Sequence, residues 1–117
     1  MTYGPYLARV RDWHDGDTCH VDLDLGFDFT LNAYSFDGKP QLSCRVYGIN
    51  ADELSTDTGK LAKAFAETIC PPGMRVTVLS HGWDKYGGRF DGEITLLDGS
   101  DFAKAMIDSG HAVPYLV

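Results

Sequence analysis

Two aspartates on either side of a glycine, Asp15 and Asp17, are the first feature of the sequence that could support chemistry. Two carboxylates at this spacing can converge on one cation, because hard divalent cations prefer oxygen ligands. The same residue types are also the ordinary composition of a tight turn. Taken alone, the Asp-Gly-Asp motif therefore leaves a plain surface turn as the alternative to a metal site.

A second polar cluster begins at Arg45 and ends at Glu53. Arg45 and Tyr47 fall on the same face of a predicted strand, and Asn50 and Asp52 follow where that strand ends. The ends of barrel strands commonly line binding and catalytic sites. A solvated strand face followed by an acidic loop ahead of a helix is the alternative interpretation.

A third cluster occupies a predicted turn and contains Asp84, Lys85, Tyr86 and Arg89. The glycines before Arg89 free the backbone, and a guanidinium can contact two phosphate oxygens at once. An ordinary surface turn is again the alternative. Together, the three clusters supply carboxylates for a metal, a candidate base and two arginines, which is the set that metal-assisted hydrolysis of a phosphodiester requires.

The elements that position these clusters are predicted from apolar periodicity. Alternation with a period of two predicts strands over residues 6–12, 18–29, 41–49, 74–80 and 89–97. Apolar residues three and four apart predict a helix over residues 59–69, with Asp57 or Thr58 as its N-cap and Leu61 on its inner face. A second helix is predicted from Phe102 to Ser109, ended by Gly110. Residues 31–40 are predicted to form a loop.

The resulting order, β-β-β-α-β-β-α, predicts a mainly β protein with helices (α+β). It matches a five-stranded OB-like β-barrel with one helix after strand 3 and one after strand 5, although other small α+β folds share this order. The first two strands are expected to form a hairpin whose turn holds Asp15 and Asp17. The 117 residues are expected to form a single domain, 1–117.

Composition narrows the class of protein. The net charge of −7 is unusual for a nucleic-acid binder, but a site that collects carboxylates around a cation can be acidic and still handle phosphates. No run approaches the roughly 18–20 apolar residues of a membrane span, and the N-terminus has no signal-peptide pattern. Cys19, Cys44 and Cys70 are an odd number without metal-ligand spacing, so we expect buried thiols in a cytoplasmic or otherwise reducing compartment.

Five ordered segments of the chain resemble the staphylococcal nuclease (thermonuclease) family, from about residue 7 to about residue 115. The Asp-Gly-Asp-Thr motif is intact at residues 15–18, and residues 45–53 match the strand that begins with an essential Arg and ends in Glu. Residues 84–89 match the family's Asp-Lys-Tyr-Gly-Arg turn. Residues 59–69 and 101–112 fit its two helical segments.

The resemblance implies a Ca²⁺ site in an OB-fold domain. Asp17 corresponds to the principal metal carboxylate, and Asp15 to a neighbour that reaches the metal through water. Asn50 stands where the family usually has Asp, and its amide oxygen can still ligate Ca²⁺. Ala51 corresponds to a residue that offers its main-chain carbonyl.

The resemblance also implies the catalytic residues and the reaction. Glu53 corresponds to the general base that activates water, and Arg45 and Arg89 to the arginines that contact the phosphate. Lys85 and Tyr86 correspond to residues that bind the nucleotide. The implied function is that of a calcium-dependent nuclease (a hydrolase, such as an endonuclease) that cleaves DNA and/or RNA by in-line attack of water. We expect single strands to be favoured, because they reach a shallow groove more easily, and we expect a monomer.

Three departures from the family pattern bear on activity. Asn50 removes one negative charge from the metal site, and Asp52 replaces the usual Pro. The turn before Arg89 contains one additional glycine, which we expect a β-bulge to absorb.

Two alternatives stay open. One is a catalytically weak or inactive OB-fold module that binds nucleic acid or protein. The other is a transition-metal site at His14, His20 or His81, whose spacing lacks a metal-ligand pattern.

Overall fold

The computed structural model describes residues 1–33, 41–85 and 88–115. Ten elements follow one another within these residues. They are β1 (Tyr3–Trp13), β2 (Thr18–Gly26), β3 (Phe29–Leu31), β4 (Leu42–Val46), β5 (Ile49–Asn50), α1 (Asp57–Ile69), β6 (Arg75–Trp83), β7 (Arg89–Thr95), α2 (Phe102–Asp108) and β8 (Val113–Pro114).

Five of the strands close into a barrel, so the predicted fold class is confirmed. The order β1-β6-β7-β4-β2 returns to β1, because β1 also pairs with β2. All of these pairs are antiparallel except β4 with β7. One helix follows β4, the third barrel strand, and the other follows β7, the fifth. This is the arrangement of an OB-like fold.

The core lies inside the barrel and under the two helices. Alternate residues of each barrel strand point inward, as the period of two requires. Val10, Val21, Cys44, Val78 and Ile94 are fully buried there. The ring of Trp13 stacks on that of Phe102 at 4.6 Å, which attaches α2 to the barrel beside the β1–β2 turn. Neither helix of the described residues is long and apolar enough to cross a membrane.

The predicted single strand over residues 18–29 is wrong, because it is broken into β2 and β3. Phe27 and Asp28 adopt φ values of 53° and 62°, and the Phe27 side chain is 96% exposed instead of facing the core. The Asp24 carboxylate accepts the Gly26 N–H at 2.8 Å. This local turn bond competes with continuation of the strand and prevails over the apolar alternation.

The predicted strand over residues 41–49 also ends early, at Val46. Tyr47 and Gly48 form a turn, in which Gly48 has a φ of 86° that a residue with a side chain adopts only with strain. The chain then continues as β5, which pairs with β8. Asn50 therefore lies on a short separate ribbon rather than at the end of a barrel strand.

The first helix begins at Asp57, two residues before the predicted start at residue 59, and it buries a different set of residues. Its N-cap is Thr56, not Asp57 or Thr58, and the Thr56 hydroxyl accepts the Gly59 N–H at 3.0 Å. Gly59, Ala62 and Ala66 are its buried residues, whereas Leu61 is 61% exposed. Small residues face inward because the helix lies close against the β1–β2 turn.

For the elements after α1, the observed boundaries differ little from the predicted ones. β6 runs on to Trp83, and β7 ends at Thr95, two residues short of the predicted limit. Ser109 is the exposed C-cap of α2 rather than part of its buried face. The predicted loop over residues 31–40 falls largely on residues 34–40, which lie outside the described residues.

Candidate active site

The Asp-Gly-Asp turn is built into the interior rather than onto the surface. The His14 N–H donates to the Thr18 carbonyl at 2.9 Å, and the Asp17 N–H donates to the Asp15 carboxylate at 3.0 Å. A Cβ at Gly16 would lie 2.9 Å from the Ala62 Cβ of α1. The turn is therefore wedged under the helix, and the plain surface turn is not what the chain forms here.

Asp17 connects this turn to the second cluster. It is only 6% exposed, and its Oδ2 accepts the Ala51 N–H at 2.9 Å across 34 residues of sequence. Its Oδ1 accepts the Thr18 hydroxyl at 3.1 Å. The Asp17 carbonyl also accepts the Val46 N–H at 2.8 Å, which fixes the turn against the end of β4. Backbone and side chain of Asp17 are thus both held.

Arg45 lies against the same oxygens. Its Nη2 donates to the Asn50 Oδ1 at 3.1 Å and lies 3.8 Å from the Asp17 Oδ2. The Arg45 side chain is only 12% exposed, and its guanidinium carbon lies 5.1 Å from the centroid of the Tyr115 ring. The structure therefore brings together Asp17, Arg45, Asn50 and Ala51 within contact distance.

The loop from Ala51 to Thr56 carries the candidate base. Glu53 is exposed, two residues beyond Ala51. Its carbonyl accepts both the N–H and the hydroxyl of Thr56, at 3.0 and 2.8 Å. The Asp52 carboxylate accepts the Thr58 hydroxyl at 2.5 Å, so Asp52 turns toward α1.

Arg89 lies on the outer face of the barrel, on the strand beside Arg45. β4 and β7 pair in parallel, with Arg45 opposite Asp91 and Ser43 opposite Arg89. This register places the Cα atoms of the two arginines about 8 Å apart. The Arg89 Nε is held by the buried Asp84 carboxylate at 2.5 Å. Arg89 therefore lies near Arg45, while its guanidinium is bound to Asp84.

Two carboxyl groups of the site have raised pKa values. Burial, together with the hydrogen bond and the charge of Asp17, raises the pKa of Asp15 to about 6. Burial and then the charge of Asp84 raise the pKa of Asp91, while Arg45 and Arg89 oppose that rise. Burial is the largest cause of both shifts, and the charge of a neighbouring carboxylate adds to each.

Two further predicted site residues, Lys85 and Tyr86, follow β6 in the sequence. Lys85 is exposed in the turn after β6, and Tyr86 lies outside the described residues. The register irregularity of this hairpin lies in β6, between Ser80 and Trp83, where Gly82 has a φ of 87°. Gly88 has a φ of 80°. The expected absorption of the additional glycine at Gly88 itself stays a prediction.

Two of the three histidines of the alternative metal site are engaged elsewhere. His20 Nδ1 pairs with Asp12, and His81 Nε2 pairs with Glu93 at 2.6 Å. The His81 ring also stacks on Tyr47 at 3.7 Å. Within the described ranges no group of three or more His, Cys, Asp and Glu side chains is arranged to hold a metal.

A mixed set of oxygens is the arrangement that could hold a hard cation. Asp17 Oδ2 and Asn50 Oδ1 both face the same nitrogen of Arg45, so two oxygen donors already converge on one positive group. A carboxylate, an amide oxygen and a main-chain carbonyl are chemically suited to Ca²⁺, which accepts all three. The donor chemistry of Asp17, Asn50 and Ala51 fits such an ion.

Three further residues shape the site and were not among the sequence candidates. Gly16 permits the close approach of the turn to α1, Thr18 binds the Asp17 carboxylate, and Tyr115 lies against Arg45. Thr18 and Gly16 stood inside a recognised motif, so their roles could have been considered. Tyr115 belongs to no local pattern, and only the β5–β8 pairing brings it to the site.

No known protein family and no characterised protein matches this chain in the comparisons.

Proposed function

We propose that the protein is a calcium-dependent nuclease of the staphylococcal nuclease type, which hydrolyses phosphodiester bonds of DNA and/or RNA. The observation that carries the proposal is the junction of two distant motifs at Asp17. Its carboxylate accepts the Ala51 N–H at 2.9 Å and lies 3.8 Å from Arg45, which in turn binds Asn50. A solvated turn and an unrelated acidic loop would not be expected to form these contacts.

The polar residues of this junction can be assigned complementary tasks. Asp17, Asn50 and the Ala51 carbonyl would hold the cation, with Asp15 nearby. When bound, Ca²⁺ would neutralise charge on a non-bridging phosphate oxygen. Arg45 and Arg89 would offset the negative charge that grows on the phosphoryl oxygens. The planar guanidinium suits this task because it can contact two oxygens at once.

Glu53 is proposed as the general base. Its exposed side chain follows Ala51 by two residues, so it borders the proposed cation site while remaining accessible to water. A carboxylate in this place can accept a proton from the attacking water, which then displaces the leaving oxygen in line. Lys85 and Tyr86 are proposed to contact neighbouring parts of the nucleotide.

The location of the site on the outer surface of the barrel favours single strands as substrates. Arg45, Asp91 and Arg89 are half-buried and lie on the outer face of two adjacent strands. An extended single strand can follow such a surface more readily than a stiff duplex. The cation would supply positive charge that the acidic chain, with its net charge of −7, lacks.

Nicking of supercoiled plasmid DNA tests the proposal. We expect open-circular and linear products in the presence of Ca²⁺ and none in the presence of a chelator. Retention of intact plasmid under both conditions, accompanied by a shift of single-stranded oligonucleotides in a gel, would instead indicate the non-catalytic OB-fold binding module.

A further inference from the structure

The main-chain carbonyl of Glu53 packs directly against the first turn of α1. A Cβ built at Gly59 would lie 1.7 Å from the Glu53 carbonyl oxygen, 2.4 Å from its carbonyl carbon and 2.9 Å from the Asp52 oxygen. These neighbours are backbone atoms, which cannot rotate away as the end of a flexible side chain could. Any side chain at residue 59 must therefore displace the loop that carries Glu53, or displace the helix.

Gly59 has no conformational reason to be a glycine. It is not among the residues with positive φ, and it lies inside α1. Glycine in a helix costs about 1 kcal/mol relative to alanine. The close approach of the Glu53 backbone is the feature of the structure that requires this residue.

Thr56 fixes the same loop from its other end. Its N–H and its hydroxyl both donate to the Glu53 carbonyl, at 3.0 and 2.8 Å. The hydroxyl oxygen also accepts the Gly59 N–H at 3.0 Å. One threonine thus caps the helix and binds the backbone of the residue proposed as general base.

We propose that Gly59 and Thr56 are positioning residues that hold the Glu53 side chain at the reaction centre through its backbone. This inference rests on the proposed function, in which Glu53 is the general base. These contacts with the Glu53 backbone restrict where the Glu53 Cα can lie. The side chain is exposed, but it therefore extends from a fixed backbone position. A displacement of about 1 Å in a catalytic group can cost on the order of 10²-fold in rate.

A double-mutant cycle separates positioning from a general structural effect. We would measure kcat and KM on a single-stranded oligonucleotide in Ca²⁺ for the wild type, Gly59→Ala, Glu53→Ala and the double variant. Glu53→Ala should lower kcat by roughly 10²–10⁴-fold, as loss of a general base does. Gly59→Ala should lower kcat by at least about tenfold with little change in KM. In the Glu53→Ala background, Gly59→Ala should change kcat by less than about twofold, because the group it displaces is already absent.

Conservative variants and a neighbouring position provide the controls. Thr56→Ala should reduce kcat and Thr56→Ser should restore it, because serine keeps the hydroxyl that binds the Glu53 carbonyl. Lys60→Ala, at the next exposed position of α1, should leave kcat unchanged. The Thr56 pair tests the same idea even if Gly59→Ala does not fold.

Two results would overturn the inference. One is an equal loss of kcat from Gly59→Ala or Thr56→Ala in the wild-type and Glu53→Ala backgrounds. That result would mean that the contacts with the Glu53 backbone are merely structural. The other is wild-type kcat in both variants. A wild-type protein that cleaves nothing, or a Glu53→Ala variant with full kcat, would contradict the proposed function itself and is distinguishable from either result.

Discussion

At the scale of single residues, Asn50 is the departure with the clearest consequence. Its amide oxygen is bound by the Arg45 guanidinium at 3.1 Å and lies beside the Asp17 carboxylate that the same guanidinium approaches. We expect Asn50→Asp to tighten Ca²⁺ binding by about fivefold. Two unit charges about 4 Å apart attract by about 1 kcal/mol in bulk water; the double charge of Ca²⁺ increases this gain, and the attraction of the new carboxylate to Arg45 offsets part of it.

Calorimetric titration with Ca²⁺ measures this change. Asn32→Asp is the matched control, since it adds the same charge at an exposed position outside the site. Equal or weaker Ca²⁺ binding by Asn50→Asp would mean that Asn50 is not a ligand.

The two arginines are expected to differ in sensitivity. Arg45 is nearly enclosed between Asn50, Asp17 and Tyr115, whereas the Arg89 side chain is 37% exposed. Arg45→Lys should lower kcat by more than Arg89→Lys, because a point charge cannot replace a two-pronged contact in a fixed place. Steady-state rates on a single-stranded oligonucleotide decide the order. The reverse order, with Arg89 the more sensitive, would mean that the two roles are misassigned.

The types of the site residues could be predicted from the sequence, but most of their contacts could not. Aspartates around a glycine and an arginine on a strand face are local patterns. The bond from Ala51 to Asp17 spans 34 residues and depends on how the chain turns from β4 into β5. The contact between Gly59 and the Glu53 backbone could not be predicted either, because a glycine in a helical pattern does not indicate which part of the chain packs against it.

At the scale of elements, the β1–β2 turn depends on close packing. A Cβ at Gly16 would lie 2.9 Å from the Ala62 Cβ, 3.0 Å from the Ala51 Cβ and 3.2 Å from the Met106 Cε. We expect Gly16→Ala to lower the free energy of unfolding by about 1–3 kcal/mol, the usual cost of overpacking, and to weaken Ca²⁺ binding by shifting Asp17.

Urea unfolding measures the loss of stability. Gly26→Ala is the comparison, because its Cβ would meet open space and only its positive φ would be strained. If Gly16→Ala proves no less stable than the wild type, the turn is not wedged under α1 as described.

Element types were more predictable than element boundaries. All five barrel strands and both helices were anticipated, because each carries a buried face with the correct period. The breaks at Phe27 and at Gly48 were missed, since turn bonds and positive φ values outweigh an apolar alternation that continues through them. The periodicity also predicts Leu61 on the buried face of α1, where it is 61% exposed, although Phe65 and Ile69 do pack against the core. The small residues of α1 face inward because the turn at Gly16 packs closely against them. Hydrophobic periodicity alone does not predict this close packing.

At the scale of the whole molecule, the buried thiols predict how stability depends on pH. A hydrogen bond with Cys44 and then burial raise the pKa of Cys19, and burial raises that of Cys70 to about 11. The unfolded chain releases these protons near the ordinary value of 9.0. Above that pH the folded protein binds more protons than the unfolded chain, so the free energy of unfolding should fall as pH rises toward 11.

Urea unfolding at pH 8, 9 and 10 tests this expectation by comparing the wild type with Cys70→Ala. The variant should lose stability less steeply above pH 9, by up to about 1 kcal/mol per pH unit for the thiol removed. Below pH 9 the thiol is protonated in both states, and the two curves should run parallel. Identical slopes above pH 9 would show that the Cys70 thiol ionises equally in both states.

Asp17 is proposed to organise a catalytic cation site where the β1–β2 turn meets the loop after β5. The most direct test compares cleavage of a single-stranded oligonucleotide in saturating Ca²⁺ by the wild type, by Asp17→Asn and by Asp108→Asn, an exposed control on α2. The wild type and Asp108→Asn should cleave the oligonucleotide, whereas Asp17→Asn should lose activity by roughly 10²-fold or more, because the site then keeps no principal carboxylate. Wild-type rates for Asp17→Asn would contradict the proposed role of Asp17.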